Sequence, residues 1–218
     1  GMLPMCYPSD HRDHNYIPNW AMWFVIELEE YLARSGDRET IDRARKRVYD
    51  LIGYFEPYLN EDGLLEKLDK WVFIEWSAAN DYVQDVNYPS NMLYAGMLDV
   101  AARLYDDEAL AGQAAHVRET IRGQAYDGRF FCDNAVRGED GELHRTGNHT
   151  EVCQYYAFFF GVATPESHPE LWARLRDEFG PARKQDNAYP DVAFANAFIG
   201  NYLRLELLSR ERLSRQIL

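Results

Sequence analysis

Apolar residues in this chain recur at three- and four-residue spacing in paired runs, each pair joined by a short turn, and this rhythm restricts the fold more than any other feature. The first run, 18–34, carries Trp20, Trp23, Phe24, Ile26, Leu28, Tyr31 and Leu32, with Pro18 at a first-turn position and Gly36 beyond its end. Its partner, about 39–58, carries Ile41, Ala44, Val48, Leu51, Ile52 and Phe55 on one face and Arg43, Arg45, Lys46 and Arg47 on the other. A second pair follows at 91–105 and 107–126, with Leu93, Leu98 and Leu104 facing Leu110, Val117 and Ile121. The third opens at Thr150 with a run apolar on every side, Val152 to Gly161, which predicts a helix enclosed all round. Its partner spans 170–179, and a long helix over 193–210 is predicted to end the series. The repeat of about 50 to 60 residues predicts an all-α fold of antiparallel helical hairpins, part of an (α/α)6 toroid, within a single domain over 1–218.

Between the pairs lie ornamented loops, and the stretch 71–91 is the richest. Trp71-Val72-Phe73-Ile74 reads as a short extended segment that delivers Glu75 and Trp76 into a polar loop ahead of Pro89 and the next helix. An indole face suits the apolar face of a pyranose, and a neighbouring carboxylate can bond hydroxyls or move a proton. The plainer reading makes Trp76 a core residue and Glu75 a solvated loop acid. Further on, 128–133 and 141–145 read as a small β-hairpin insertion turning through 137–140.

Composition narrows the partners. The formal net charge of −13 argues against nucleic acid, because phosphate binding needs clustered Lys and Arg. No apolar run reaches the ~20 residues that cross a bilayer, so no membrane partner is expected. Cys6, Cys132 and Cys153 fit neither a zinc pattern nor a disulfide framework, so reduced thiols are expected. Those thiols and the lack of a signal peptide favour the cytoplasm, with the compartment otherwise unknown. Asp10, His11, Asp13 and His14 crowd into the N-terminal loop but lack a fixed third ligand. No metal and no cofactor is expected.

Five short motifs, in order, resemble α-L-rhamnosidase-type six-hairpin glycosidases. Ile17-Pro18-Asn19-Trp20 with Gly36-Asp37 resembles a family helix that begins at a Trp and ends in Gly-Asp. Phe73-Ile74-Glu75-Trp76 is similar to its Phe-x-Asp-Trp segment, and Asn91–Leu104 to the helix after it. Thr150-Glu151 with Phe160-Gly161 resembles a Thr-Gln helix ending in Phe-Gly, and the 195–202 run Ala-Asn-Ala-Phe-Ile-Gly-Asn-Tyr resembles the next inner helix.

The resemblance implies an inverting hydrolase that removes terminal α-L-rhamnose with two carboxylates, one protonating the leaving oxygen and one activating water. The family's general acid lies upstream of the Trp20-like position and its base downstream of the Phe198-like helix, so neither maps onto a residue here. Trp20 and Trp76 match tryptophans expected to line the sugar pocket. Asn19, Asn91, His149 and Glu151 complete the candidate substrate-binding set, with Glu75 as the candidate catalytic residue. Glu75 stands where the family has Asp, and Glu151 where it has Gln. Three readings stay open: a rhamnosidase-like segment that binds sugar, a complete small enzyme pairing Glu75 with Asp81, Asp85 or Glu151, and a non-catalytic carbohydrate-binding or assembly module. Uronyl hydrolases and sugar epimerases share the six-hairpin fold, so fold alone does not choose among chemistries. An incomplete toroid leaves inner apolar helices uncovered, and either a homo-oligomer or loops folded over the open edges are expected to cover them.

Overall fold

The computed structural model describes residues 1–4 and 16–217, so Cys6 and the Asp10–His14 run lie outside the described residues. Helix α1 (Pro18–Ser35) starts with proline in its first turn and stops where Gly36 takes φ 69° and donates to the Leu32 carbonyl. Helix α2 (Arg38–Phe55) is capped by Asp37, whose side chain accepts from Thr40 N. The second pair is α3 (Tyr88–Tyr105) and α4 (Glu108–Ala125), the latter capped by Asp107 on Ala109 N and Leu110 N. Then come α5 (Glu151–Phe159), α6 (Pro169–Asp177), α7 (Arg183–Asp186), α8 (Gly200–Arg210) and α9 (Ser214–Ile217).

The helices form two layers. Contacts run α1 to α3, α3 to α5 and α5 to α8, so these four make an inner row, while α2 packs outside α1 and α4 outside α3. Every residue of α3 except Asp99 and Arg103 is buried, and α5 is buried from Glu151 to Phe158. Helix α6 lies outside α5, with Trp172 tilted against Phe158 at a centroid distance of 5.2 Å. The result is a partial toroid of helical hairpins, as the periodicity predicted. Gly96 permits the α3–α5 approach, since a Cβ there would overlap the Phe160 ring. Among the described residues, no helix is long and apolar enough to cross a membrane.

Four local expectations are corrected. First, α3 begins at Tyr88 rather than Asn91, because Asn87 accepts from Ser90 N at 2.9 Å and Pro89 occupies the first turn. Second, the hairpin is shifted: β2 (Asn134–Arg137) pairs antiparallel with β3 (Leu143–Arg145) and with β1 (Val86–Asn87). The 128–133 stretch instead forms a turn, with Asp127 Oδ1 accepting from Arg129 N and Phe130 N. Third, 71–74 joins no sheet. Its amides go to the Tyr16 carbonyl from Trp71 and to the side chains of Asn19 and Asn80 from Phe73 and Ile74. Fourth, the last long helix starts at Gly200 rather than at 193, where β5 (Val192–Ala193) pairs parallel with β4 (His149–Thr150).

Candidate functional site

Glu75 and Trp76 are neighbours in sequence and point opposite ways. Glu75 is fully buried; its Oε1 accepts from Asn196 N at 2.9 Å and its Oε2 from Gly200 N at 2.8 Å. Desolvation raises its pKa, against the lowering pull of those amides and the Ser77 hydroxyl. Trp76 is 60% exposed, its carbonyl holding Asn196 Nδ2 at 2.9 Å. This reverses the plain reading: the acid is in the core and the indole is in solvent. Glu75 acts as a cap for the 196–200 turn, which is why α8 cannot begin earlier.

The other expected polar residues are similarly engaged by protein. Asn19 is buried, donating to Ser90 Oγ at 2.9 Å and accepting from Phe73 N at 3.1 Å. Asn91 is buried too. It accepts from Leu65 N at 2.7 Å and donates to the Leu65 and Asn87 carbonyls, pinning the loop before the aromatic segment. Glu151 pairs with Arg183 through Nε and Nη2, both at 2.9 Å, and accepts from Gly180 N and the Tyr155 hydroxyl. Arg183 in turn donates to the carbonyls of Ala188, Tyr189 and Val192. The pair is enclosed, with Glu151 at the edge of a small cavity of about 150 Å³ that Lys184 and Asn201 also line. Asp85 is not drawn to Glu75: its Oδ2 accepts from Arg137 N at 2.8 Å, on the hairpin side. His149 lies away from the indoles, with Nε2 at 2.9 Å from Asp127 Oδ2 and 3.3 Å from Cys132 Sγ.

Around the expected indoles the open surface is aromatic. Phe73 sits edge-on to Trp20 at 5.9 Å, to Trp76 at 5.0 Å and to Trp71 at 5.5 Å, so the two expected indoles share one buried ring between them. Trp71 is 46% exposed. Trp20 continues this surface into a groove of about 810 Å³ lined by Trp23, Phe24, Phe198, Ile199 and Tyr202, with Glu27 and Glu30 on its α1 side. The inner row thus curls until its first and last members, α1 and α8, flank the same groove, and Trp23 reaches Tyr202 at 6.4 Å.

The sequence missed most of this lining. The resemblance places Trp20 at a sugar pocket, but Trp23 and Phe24 fall at helical spacing beside it, and the broad apolar face of α1 suggested core. The residues α1 actually buries are the smaller ones, including Ala21, Met22, Val25 and Leu28, leaving the large rings half-exposed. The usable signal was the interruption of that face by Glu27 and Glu30, two acids i, i+3 on the ridge of the rings.

No family model and no curated protein sequence matches the chain. Solved structures do match. A GH78 family rhamnosidase of Bacillus sp. GL1 is similar over 93% of this chain and 20% of its own, with a TM-score of 0.77 and 19% identity. A rhamnosidase from Klebsiella oxytoca with rhamnose bound is similar over 97% of this chain and 38% of its own, with a TM-score of 0.65 and 17% identity. The chain has an α-L-rhamnosidase-like fold and spans well under half the length of either structure.

Proposed function

We propose that this chain is a glycoside hydrolase-like domain whose aromatic surface grips terminal rhamnose or a closely related sugar. The observation that carries the reading is the run from Trp76 across Phe73 to Trp20 and the groove, on a rhamnosidase-like fold. Indole faces cover the C–H face of a pyranose and the apolar 6-methyl of a deoxyhexose, while groove carboxylates accept from its hydroxyls. The test is titration of the chain with L-rhamnose and with p-nitrophenyl α-L-rhamnoside, read by tryptophan fluorescence. Saturable quenching is expected, weakened about two- to tenfold in Trp20→Ala and in Trp76→Ala. Quenching absent from the parent chain would sink the reading.

Turnover by the isolated chain is not expected, because Glu75 and Glu151 spend their oxygens on protein donors. A second reading, a complete small enzyme using Glu27 and Glu30 in place of Glu75 with Asp81, Asp85 or Glu151, rests on the exposure of those two acids beside the groove. It predicts p-nitrophenol release that falls at least about a hundredfold in Glu27→Gln or Glu30→Gln. Either reading includes self-association, supported by Phe198, Tyr202 and Leu205, all more than a third exposed near or on α8.

A further inference from the structure

On the far side of α5 from its C-terminal end, three side chains converge on one point. Asp127, Cys132 and His149 each offer one ligand atom, and these atoms lie within 4.8 Å of one another. The supports are rigid. A bridge between Tyr126 and Phe131 closes the turn that carries Asp127 and Cys132, and Gly128 at φ 99° makes that turn tight. Cys132 N donates to the Ala125 carbonyl at 2.9 Å. His149 is fixed by strand β4 pairing with Val192, and the Phe130 ring flanks its imidazole at 5.8 Å. Cys132 is buried, the His149 side chain is 10% exposed and that of Asp127 26%, which leaves one side reachable from solvent.

A Cys, a His and an acid together suggest a nucleophile relay, and the geometry argues against one. A relay needs the thiol on one ring nitrogen and the acid on the other. Here both approach Nε2, at 3.3 Å and 2.9 Å. One nitrogen carries at most one proton, so it serves one of the two neighbours at a time, whereas a cation at the centre would engage all three groups at once. We propose that Asp127, Cys132 and His149 bind a divalent transition-metal ion of the zinc type. The mixed O, S, N donor set suits a borderline-soft cation, and three protein ligands leave a fourth position for water or an exogenous donor. The two contacts to Nε2, 3.3 Å and 2.9 Å, are slightly shorter than the edges of a tetrahedron with bonds of about 2.0–2.3 Å, so the ion requires those ligands to part by only about a few tenths of an ångström. On binding, the Cys132 thiol releases its proton to solvent and becomes the thiolate ligand. Sequence spacing hid the site: Cys132 follows Asp127 by five positions and His149 follows Cys132 by seventeen, which matches no compact metal motif.

The full chain, stripped with a chelator, is titrated with Zn²⁺ against a chromophoric competitor and separately with Co²⁺. One equivalent is expected, with a thiolate-to-cobalt charge-transfer band in the near ultraviolet. Cys132→Ser and His149→Ala should abolish the band and weaken zinc by at least about tenfold, since even outer partners of metal ligands are worth that much. Asp127→Asn, at a more exposed position, should weaken zinc without unfolding the chain, as circular dichroism would report. Cys6→Ser and the double variant His11→Ala/His14→Ala should bind as the parent does. Loss of binding in either of those two, retention in Cys132→Ser and His149→Ala, or no stoichiometric binding by the parent overturns the assignment. None of these outcomes depends on sugar binding.

Discussion

At the scale of single residues, Glu75 shows how one side chain can look catalytic in sequence and be architectural in space. Its two oxygens hold the amides of Asn196 and Gly200, and an amide at this position would aim an N–H at another N–H. Glu75→Gln should therefore cost about 1–3 kcal/mol, measured by denaturant unfolding. The pH dependence has a definite sign. Burial raises the folded-state pKa above the ordinary value of 4.5, so the folded chain holds this proton more tightly than the unfolded one. The stability it contributes is full below that ordinary value and declines as pH rises through the raised one. Glu75→Gln removes this slope, so the parent's stability advantage should shrink between acid and neutral pH; an advantage that grows would contradict the account. Arg183 offers a second measurement at this scale. Arg183→Met leaves Glu151 charged and enclosed without its cation, and should destabilise by about 3–5 kcal/mol. The sequence showed that Glu75, Glu151 and Trp76 stand at unusual places. It could not show which of them face inward, because that depends on partners as remote as Gly200 for Glu75 and Arg183 for Glu151.

At the scale of elements, legibility follows how local the determinants are. Gly36, Asp37, Asp107 and Thr150 end or start their helices through bonds within a few residues, and those boundaries agreed with the periodicity. The boundaries that moved have distant causes. The start of α8 is set by an acid 125 residues earlier, and β1 finds its partner at Asn134 and Ala135. The 71–74 segment has strand-like composition, yet three non-strand acceptors claim its amides. Packing between inner helices gives the test here. Gly96→Ala forces a methyl into the Phe160 ring where α3 meets α5, and the expected cost is about 1–3 kcal/mol with a lowered melting temperature. An unchanged melting curve would mean that this crossing is looser than the geometry indicates.

At the scale of the whole molecule, the inner row solves most of the problem that an incomplete ring poses. Helices α3 and α5 are enclosed, and Trp23 packs on Tyr156, Phe159, Phe160 and Tyr202, so much of the large apolar surface left over, Trp71, Trp76, Phe198, Tyr202 and Leu205, lies by the Trp71–Trp76 loop and on or just before α8. Light scattering on the chain should show concentration-dependent association, reversed by Leu205→Glu without loss of helicity. A monomer at every concentration would mean that the exposed rings serve a ligand alone.

The bonds from Glu75 and Trp76 to the 196–200 turn also set an order of events during synthesis. A nascent chain that has emerged only through α6 holds a carboxylate in its interior with no amides to receive it. The first three hairpins can gather early through near-neighbour contacts, but their middle stays unfinished until Gly200 leaves the ribosome. Truncations that stop short of that glycine should consequently be recovered as insoluble or protease-sensitive material, however complete their helices look on paper.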